Sequence, residues 1–180
     1  ATIVRSANDA AVVLAERMGG SEKYFAVVMT EKAQELGMNN TQFWNASGLP
    51  HEKQMTTARD MALLGQALIR DFPQYYHFFD TRSIKYNNRN LTTYNGILSS
   101  FEGADGIKTG FTCGSGYNLV ASAVRDGRRL IGVLLPMDKL LPQWTEEEGR
   151  VKATLSRGAG PGAIRPDLIA GLSGLQQMQA

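Results

Sequence analysis

Residues 119–135 read LVASAVRDGRRLIGVLL, two apolar runs joined by Arg125-Asp126-Gly127-Arg128. The runs at 119–124 and 130–135 are rich in aliphatic and β-branched side chains, a composition typical of strands. An Asp-Gly pair between two such runs favours a two-residue hairpin turn, because both turn residues need a positive φ. This stretch therefore predicts an antiparallel β-hairpin in the second half of the chain.

Helical patterns precede this hairpin. Apolar residues recur at helical spacing within 9–18, 21–36 and 57–72, with Ser21 and Thr57 at cap positions and Pro73 ending the third pattern. A short run, Gly106-Ile107-Lys108-Thr109, predicts one more strand just upstream of the hairpin. Helices followed by antiparallel strands predict an α+β fold, an antiparallel sheet flanked by helices.

The composition is that of a globular protein. The chain has 180 residues, 43% hydrophobic and 20% charged, with a formal net charge of +2. These values exclude a disordered chain, and the absence of a Lys/Arg block gives no reason to expect nucleic acid as a partner. One cysteine cannot form an internal disulfide, and the further Cys and His residues that a zinc site needs do not accompany it. We therefore expect no metal.

The composition also changes along the chain. Beyond residue 157 the sequence becomes rich in Gly, Pro and Gln. We expect residues 1–157 to belong to one domain and residues 158–180 to form a tail whose role the sequence does not indicate.

Two short motifs carry the candidate chemistry. Ser6-Ala7-Asn8 stands just before the first helix, and Lys108-Thr109-Gly110 lies on the first predicted strand of the sheet. Each tripeptide alone is a weak signal, because a serine at a helix start usually caps the helix and Lys-Thr-Gly usually ends a strand. The two motifs in this order, with the second one ahead of a strand hairpin, favour a catalytic site.

With these motifs the chain resembles the serine-type D-alanyl-D-alanine carboxypeptidases, the low-molecular-mass penicillin-binding proteins of the β-lactamase and transpeptidase superfamily. Longer blocks carry the resemblance over residues 1–135, namely residues 6–11, 36–41, 45–49, 57–62, 103–112 and 116–123. The resemblance implies α-β-α layers. It also implies a hydrolase that removes the terminal D-Ala from peptidoglycan stem peptides by serine acylation, without a cofactor.

The resemblance assigns the Lys-Thr-Gly strand to substrate binding. Lys108 would place positive charge beside the substrate carboxylate, and Thr109 would donate a hydroxyl hydrogen bond to it. Gly110 would leave room for the substrate backbone along the strand edge. The backbone N–H of Phe111 would form half of an oxyanion hole, a donor worth about 10²–10³ in rate.

The first motif is assigned to proton transfer and orientation. By resemblance, Ser6 would relay a proton toward the leaving amine. Asn8 would orient the substrate amide and the catalytic lysine. The predicted catalytic residues are therefore Ser6, Asn8 and Lys108, with Thr109, Gly110 and Phe111 binding substrate.

The acylating motif of the family, Ser-x-x-Lys, does not occur in this sequence. None of the serines has a lysine three residues later, and only five residues precede Ser6. We therefore expect this chain to be the C-terminal part of the catalytic domain, inactive by itself, with an N-terminal segment as its partner. The parent protein is expected in the periplasm or elsewhere outside the cytoplasmic membrane, exported by a signal that this chain does not contain.

Two other functions stay open. A β-lactamase would need a deacylating carboxylate in a loop between the motifs, where Glu52 is the candidate. A catalytically inactive module that binds peptidoglycan stem peptides or a partner protein would fit the absent nucleophile. If the leading interpretation holds, β-lactam antibiotics should inhibit the complete enzyme.

The resemblance also implies a stability problem. N-terminal segments would complete the sheet and supply the helix that carries the nucleophile. We therefore expect the isolated chain to be poorly stable, with the apolar faces of 119–124 and 130–135 exposed.

Overall fold

The computed structural model describes residues 1–135 and 156–157, in which helices come first and an antiparallel sheet follows. The helices are α1 (Thr2–Arg5), α2 (Asn8–Gly19), α3 (Glu22–Glu35), α4 (Ala58–Asp71), a 3₁₀ helix (Pro73–Asp80) and α5 (Ile97–Ser100). The strands are β1 (Ser83–Tyr86), β2 (Arg89–Thr92), β3 (Ala104–Thr112), β4 (Gly116–Arg125), β5 (Arg128–Leu134) and β6 (Ser156–Arg157). The predicted α+β class is confirmed.

The hairpin of β4 and β5 forms where the sequence predicts it. The two strands pair antiparallel from Leu119 opposite Leu134 to Arg125 opposite Arg128. Asp126 and Gly127 have φ values of 50° and 69°, the left-handed conformations that a type I′ turn requires. The turn is therefore a local property of the Asp-Gly pair.

Strand β3 is longer than the predicted run and lies at the edge of the described sheet. The order of strands is β3-β4-β5-β6, and Lys108 lies opposite Val120 of β4. The register shifts between Ala104 and Gly106, so the strand is irregular at its start. An edge position leaves one side of β3 without a strand partner among the described residues, which is what a peptide needs if it is to pair there.

Two apolar clusters hold the sheet. The first brings α4 and the 3₁₀ helix onto it, and its buried members are Ala62, Tyr76, Ile107, Val120, Ile131 and Val133. The second lies beneath α5, and its buried members are Ile97, Leu98, Ala104, Leu119 and Ala121. A Cβ atom at Gly65 of α4 would lie 3.1 Å from Cδ1 of Ile107, so the glycine allows the helix to approach the sheet closely.

The helices α2 and α3 pack differently. The Ser21 hydroxyl caps α3 by accepting the Tyr24 N–H at 3.2 Å, and Gly37 follows this helix with a φ of 81°. Their buried side chains are small: Ala15, Ala26 and Ala33. Several of their large apolar side chains are exposed, among them Val13, Leu14, Met18, Val27 and Val28.

This distribution corrects one sequence-based expectation. Leu119, Val120 and Ala121 are 8% exposed, and Ile131 and Val133 are 2% and 1% exposed. The expectation that the two strand runs would show bare apolar faces is therefore wrong. Helices α4 and α5 and the 3₁₀ helix cover the sheet, whereas α2 and α3 leave Val13, Leu14 and Met18 exposed.

The start of α4 uses half of a capping box. The Thr57 hydroxyl accepts the Asp60 N–H at 3.1 Å, as a cap should. The buried Asp60 carboxylate accepts instead from the Asn40 N–H at 2.9 Å and from the Thr41 hydroxyl at 2.8 Å. This carboxylate therefore ties the loop after α3 to the start of α4.

Residues 158–180, predicted to form a tail, lie outside the described residues. Among the residues that are described, no helix is both long and apolar enough to cross a bilayer. The same part of the chain holds no group of three His, Cys, Asp or Glu side chains arranged to bind a metal ion.

Candidate active site

Ser6 occupies the sharp junction between α1 and α2. Its φ and ψ are 51° and 39°, in the left-handed region that costs a residue other than glycine some free energy. The N-cap of α2 is Ala7, and no side chain caps that helix. The common structural reason for a serine at a helix start therefore does not apply to Ser6.

The hydroxyl of Ser6 faces Lys108 instead. The Lys108 ammonium donates a hydrogen bond to Ser6 Oγ at 2.6 Å and another to the carbonyl oxygen of Thr109. The two side chains are 102 residues apart in sequence. This contact brings one residue of each motif together, between the helices and the edge strand.

Burial changes the chemistry of Lys108. The side chain is half-buried, and no acidic group among the described residues lies within ion-pair distance of it. Burial lowers the pKa of Lys108 below its usual value, because the charged form loses solvation. A lysine in this state gives up its proton more readily, which suits a group that exchanges protons with a neighbouring hydroxyl.

The rest of the second motif lies open on β3. The Thr109 hydroxyl makes no hydrogen bond with any described residue. A Cβ atom at Gly110 would meet only Cβ of Asn118, at 3.8 Å, so packing within the described residues does not require a glycine there. The exposed ring of Phe111 lies 4.5 Å from that of Tyr117, measured between centroids.

Asn8 is the predicted site residue that the structure leaves apart. It is the first residue of α2 and is exposed. Its side chain forms no hydrogen bond with Lys108 or with any other described residue. Its predicted orienting role stays a prediction.

The sequence does not predict a polar network that lies behind β3. Both terminal nitrogens of Arg129 on β5 contact the Asp105 carboxylate on β3, at 2.9 and 2.7 Å. Arg129 also donates to Ser122 Oγ on β4 at 2.6 Å. The network spans three strands and fixes β3 close to the position of its register shift. Its only sequence signal is two charges near strand ends, which look like ordinary surface residues.

Tyr76 of the 3₁₀ helix completes this region. Burial raises the pKa of Tyr76 to about 12, and its hydroxyl has no hydrogen-bond partner among the described residues. The guanidinium carbon of Arg129 lies 5.2 Å from the ring centroid. A Cβ atom at Gly106 would lie 2.6 Å from the Tyr76 hydroxyl oxygen, so close packing requires a glycine here. Gly106 is thus structural, in contrast to Gly110.

Glu52, the acid that a β-lactamase would require, is not part of this site. It is exposed in the turn after Pro50 and forms no hydrogen bond or ion pair with the residues that the structure describes. The geometry therefore gives no support to Glu52 as a deacylating base.

Comparison with known proteins identifies the family. A family model described as D-alanyl-D-alanine carboxypeptidase matches residues 1–139. The chain belongs to the D-alanyl-D-alanine carboxypeptidase family. It is 45% identical over 134 residues to the D-alanyl-D-alanine carboxypeptidase DacC of Escherichia coli, an alignment that covers 74% of this chain and 34% of DacC. The chain thus spans about a third of the length of this relative.

Solved structures of penicillin-binding proteins share the fold. Penicillin-binding protein 5 of Haemophilus influenzae matches with a TM-score of 0.69 and 40% identity, over 73% of this chain and 39% of that one. Penicillin-binding protein D2 of Listeria monocytogenes, in its cefotaxime-bound form, matches with a TM-score of 0.67 and 35% identity, over 74% and 55%. The resemblance inferred from the motifs is therefore confirmed at the level of family and fold.

Proposed function

We propose that the protein carrying this chain is a serine-type DD-carboxypeptidase that removes the terminal D-Ala from peptidoglycan stem peptides. The observation that carries the proposal is the hydrogen bond between Lys108 and Ser6 beside the edge strand β3. It joins a half-buried ammonium to a hydroxyl that has no capping role, and family membership supports the same assignment.

Substrate binding uses the edge of β3 in this proposal. The peptide lies along the strand, and its terminal carboxylate meets the charge of Lys108 and the unengaged hydroxyl of Thr109. The absence of a side chain at Gly110 keeps the edge open for the peptide backbone. The backbone N–H of Phe111 donates to the oxyanion that forms when the carbonyl is attacked.

The reaction then runs through two acyl transfers. A serine hydroxyl attacks the carbonyl of the penultimate D-Ala, the amide bond breaks, and the leaving amine of the terminal D-Ala takes up a proton through Ser6 and Lys108. Water hydrolyses the resulting ester. The acylating serine belongs to a Ser-x-x-Lys segment that is not within these 180 residues, so this chain supplies binding and proton transfer.

Inhibitors and location follow from the same proposal. A β-lactam would acylate the same serine, and the similar penicillin-binding protein D2 has a cefotaxime-bound form. The substrate lies outside the cytoplasmic membrane, so the proposed location is the periplasm or another extracytoplasmic part of the cell envelope.

Labelling with a fluorescent penicillin tests the proposal. The full-length gene product should be labelled and should release D-Ala from a diacyl-D-Ala-D-Ala peptide, whereas the 180-residue chain should do neither. A full-length product that binds stem peptide without labelling or release would be an inactive binding module. Rapid hydrolysis of penicillin without D-Ala release would identify a β-lactamase.

A glycine variant tests the binding mode separately. Gly110→Ala in the full-length product should lower kcat/KM by about tenfold to a hundredfold, because the added methyl group displaces the substrate. Its melting temperature should not change, since the fold leaves space for the methyl group. Gly114→Ala in the neighbouring turn, where a Cβ atom would meet only Oγ1 of Thr112 at 3.9 Å, is the control and should change neither quantity.

A further inference from the structure

The backbone at Ser6 needs support from outside its own helix. Helix α1 has four residues, too few to be stable without tertiary contacts. Ser6 follows it in a left-handed conformation that a serine rarely adopts. Its hydroxyl must nevertheless stay within hydrogen-bond distance of Lys108, a residue of another element.

Arg5, the last residue of α1, provides the contacts that could give this support. One terminal nitrogen donates to the carbonyl oxygen of Thr92 at 2.9 Å, and the other donates to the Tyr94 hydroxyl at 2.6 Å. The guanidinium carbon lies 4.1 Å from the centroid of the Tyr94 ring. The Tyr94 N–H also donates to the carbonyl oxygen of Val4 at 3.2 Å. Four contacts therefore join α1 to the end of β2 and to Tyr94, two residues beyond it.

This segment is in turn fixed relative to Lys108. Helix α5 begins at Ile97, three residues after Tyr94, and its Ile97 and Leu98 are buried against Ala104 of β3 and its neighbours. Lys108 lies on the same strand. Tyr94 is therefore connected to the lysine through a short, packed stretch of chain.

The positive charge of Arg5 has no acidic partner among the described residues. No carboxylate there forms an ion pair with it, and the hydrogen bonds of its side chain go to Thr92 and Tyr94. We propose that Arg5 and Tyr94 are positioning residues that hold Ser6 at the Lys108 ammonium. The expected effect on kcat rests on the proposed function, whereas the expected effect on the position of Ser6 does not.

Kinetics of the full-length gene product give the first test. Tyr94→Phe keeps the ring and removes the hydroxyl acceptor, and Arg5→Gln removes the guanidinium. Each should lower kcat about tenfold with KM within about twofold, since a misplacement near 1 Å can cost about a hundredfold. The double variant should be no worse than the poorer single one, because both remove the same contact.

Two control variants separate positioning from general stability. Tyr86→Phe on β1 and Arg89→Gln on β2 alter exposed residues of the β1–β2 hairpin, and the altered groups form no hydrogen bond with the described residues. They should leave kcat unchanged. Arg5→Lys retains the positive charge and a single donor group, so it should recover part of the activity lost in Arg5→Gln. Equal kcat in all variants at a temperature well below melting would overturn the proposal.

A spectroscopic readout keeps the proposal independent of activity. The ¹³Cε resonance of Lys108, assigned with Lys108→Arg in the full-length product, should shift in Tyr94→Phe and stay in place in Tyr86→Phe. An unmoved resonance in the folded Tyr94→Phe variant would overturn the proposal. A shift in a protein that never releases D-Ala would support the positioning role and refute the proposed function instead.

Discussion

The sheet with its covering helices and the α2–α3 helix pair bury their apolar residues to different extents. In the sheet, Ile131 and Val133 are almost fully enclosed, with α4 packed against them. In the helix pair, the buried positions hold alanines, while Val13 and Met18 are 63% and 65% exposed. The sheet thus builds a core from the described residues, and the helix pair leaves much of its apolar surface unburied.

The difference matters because the candidate site lies between the two regions. Lys108 belongs to a strand held by two apolar clusters and by the Arg129 network. Ser6 lies at the start of the helical region, where fewer large apolar side chains are buried than in the sheet. The position of Ser6 must therefore depend on a few specific contacts, while that of Lys108 follows from the fold of the sheet.

The largest expected effect is a cavity in the sheet. Ile131→Ala should lower the free energy of unfolding by about 2–5 kcal/mol, because the site is enclosed and cannot easily collapse. Val13→Ala on α2 is the matched control and should change it by less than about 0.5 kcal/mol. Urea unfolding of the purified chain measures both. Equal losses at the two positions would contradict the contrast between the regions.

The next effect concerns catalysis at Lys108. Lys108→Ala in the full-length gene product should lower kcat/KM by one to two decades, since a charge-assisted hydrogen bond is worth about 1.5–3 kcal/mol. The melting temperature should change little by comparison. Kinetics on a diacyl-D-Ala-D-Ala peptide, measured beside thermal unfolding, decide the matter. Unchanged kinetics would remove Lys108 from the site.

A smaller effect is expected at the network behind β3. Arg129→Met leaves the Asp105 carboxylate and the Ser122 hydroxyl without their partner and should cost about 1–2 kcal/mol, less than a fully buried pair because water still reaches it. Lys32→Met, which removes an exposed pair with Glu35 on α3, should leave the unfolding midpoint unchanged. A midpoint shift as large for Lys32→Met as for Arg129→Met would contradict this prediction.

The effect that is smallest near neutral pH appears in the pH dependence of stability. The pKa of Tyr76 is about 12 in the folded chain and 10.0 unperturbed, so its contribution is complete below pH 10 and is lost as the pH rises toward 12. The titration of Lys108 changes the stability in the opposite direction. Its lowered folded pKa makes stability rise with pH between that value and 10.5.

The variant Tyr76→Phe isolates the first of these contributions. Near neutral pH it should change the free energy of unfolding by less than about 1 kcal/mol, because the hydroxyl that it removes has no partner among the described residues. Above about pH 10 it should lose less stability than the parent chain. Urea unfolding at several alkaline pH values checks this, and identical alkaline losses in both proteins would contradict it.

Local physics determined much of this molecule from sequence alone. The Asp126-Gly127 turn, the Ser21 cap and the glycine after α3 depend on neighbouring residues, so their patterns predict them. The two motifs carried the resemblance to the family that the comparisons confirm. The helices α2, α3 and α4 and the α+β class follow for the same reason, since periodicity and turn chemistry act over short stretches.

Only the tertiary structure decided the contacts that make a site. The hydrogen bond from Lys108 to Ser6 and the ion pair from Arg129 to Asp105 join residues that are distant in sequence. Their geometry depends on strand register and on how the helices pack. The same packing determines that Val13 and Met18 are exposed on α2 and that Ile131 and Val133 are buried on β5. Such contacts follow from loop closure and burial across the whole chain, which no short pattern encodes.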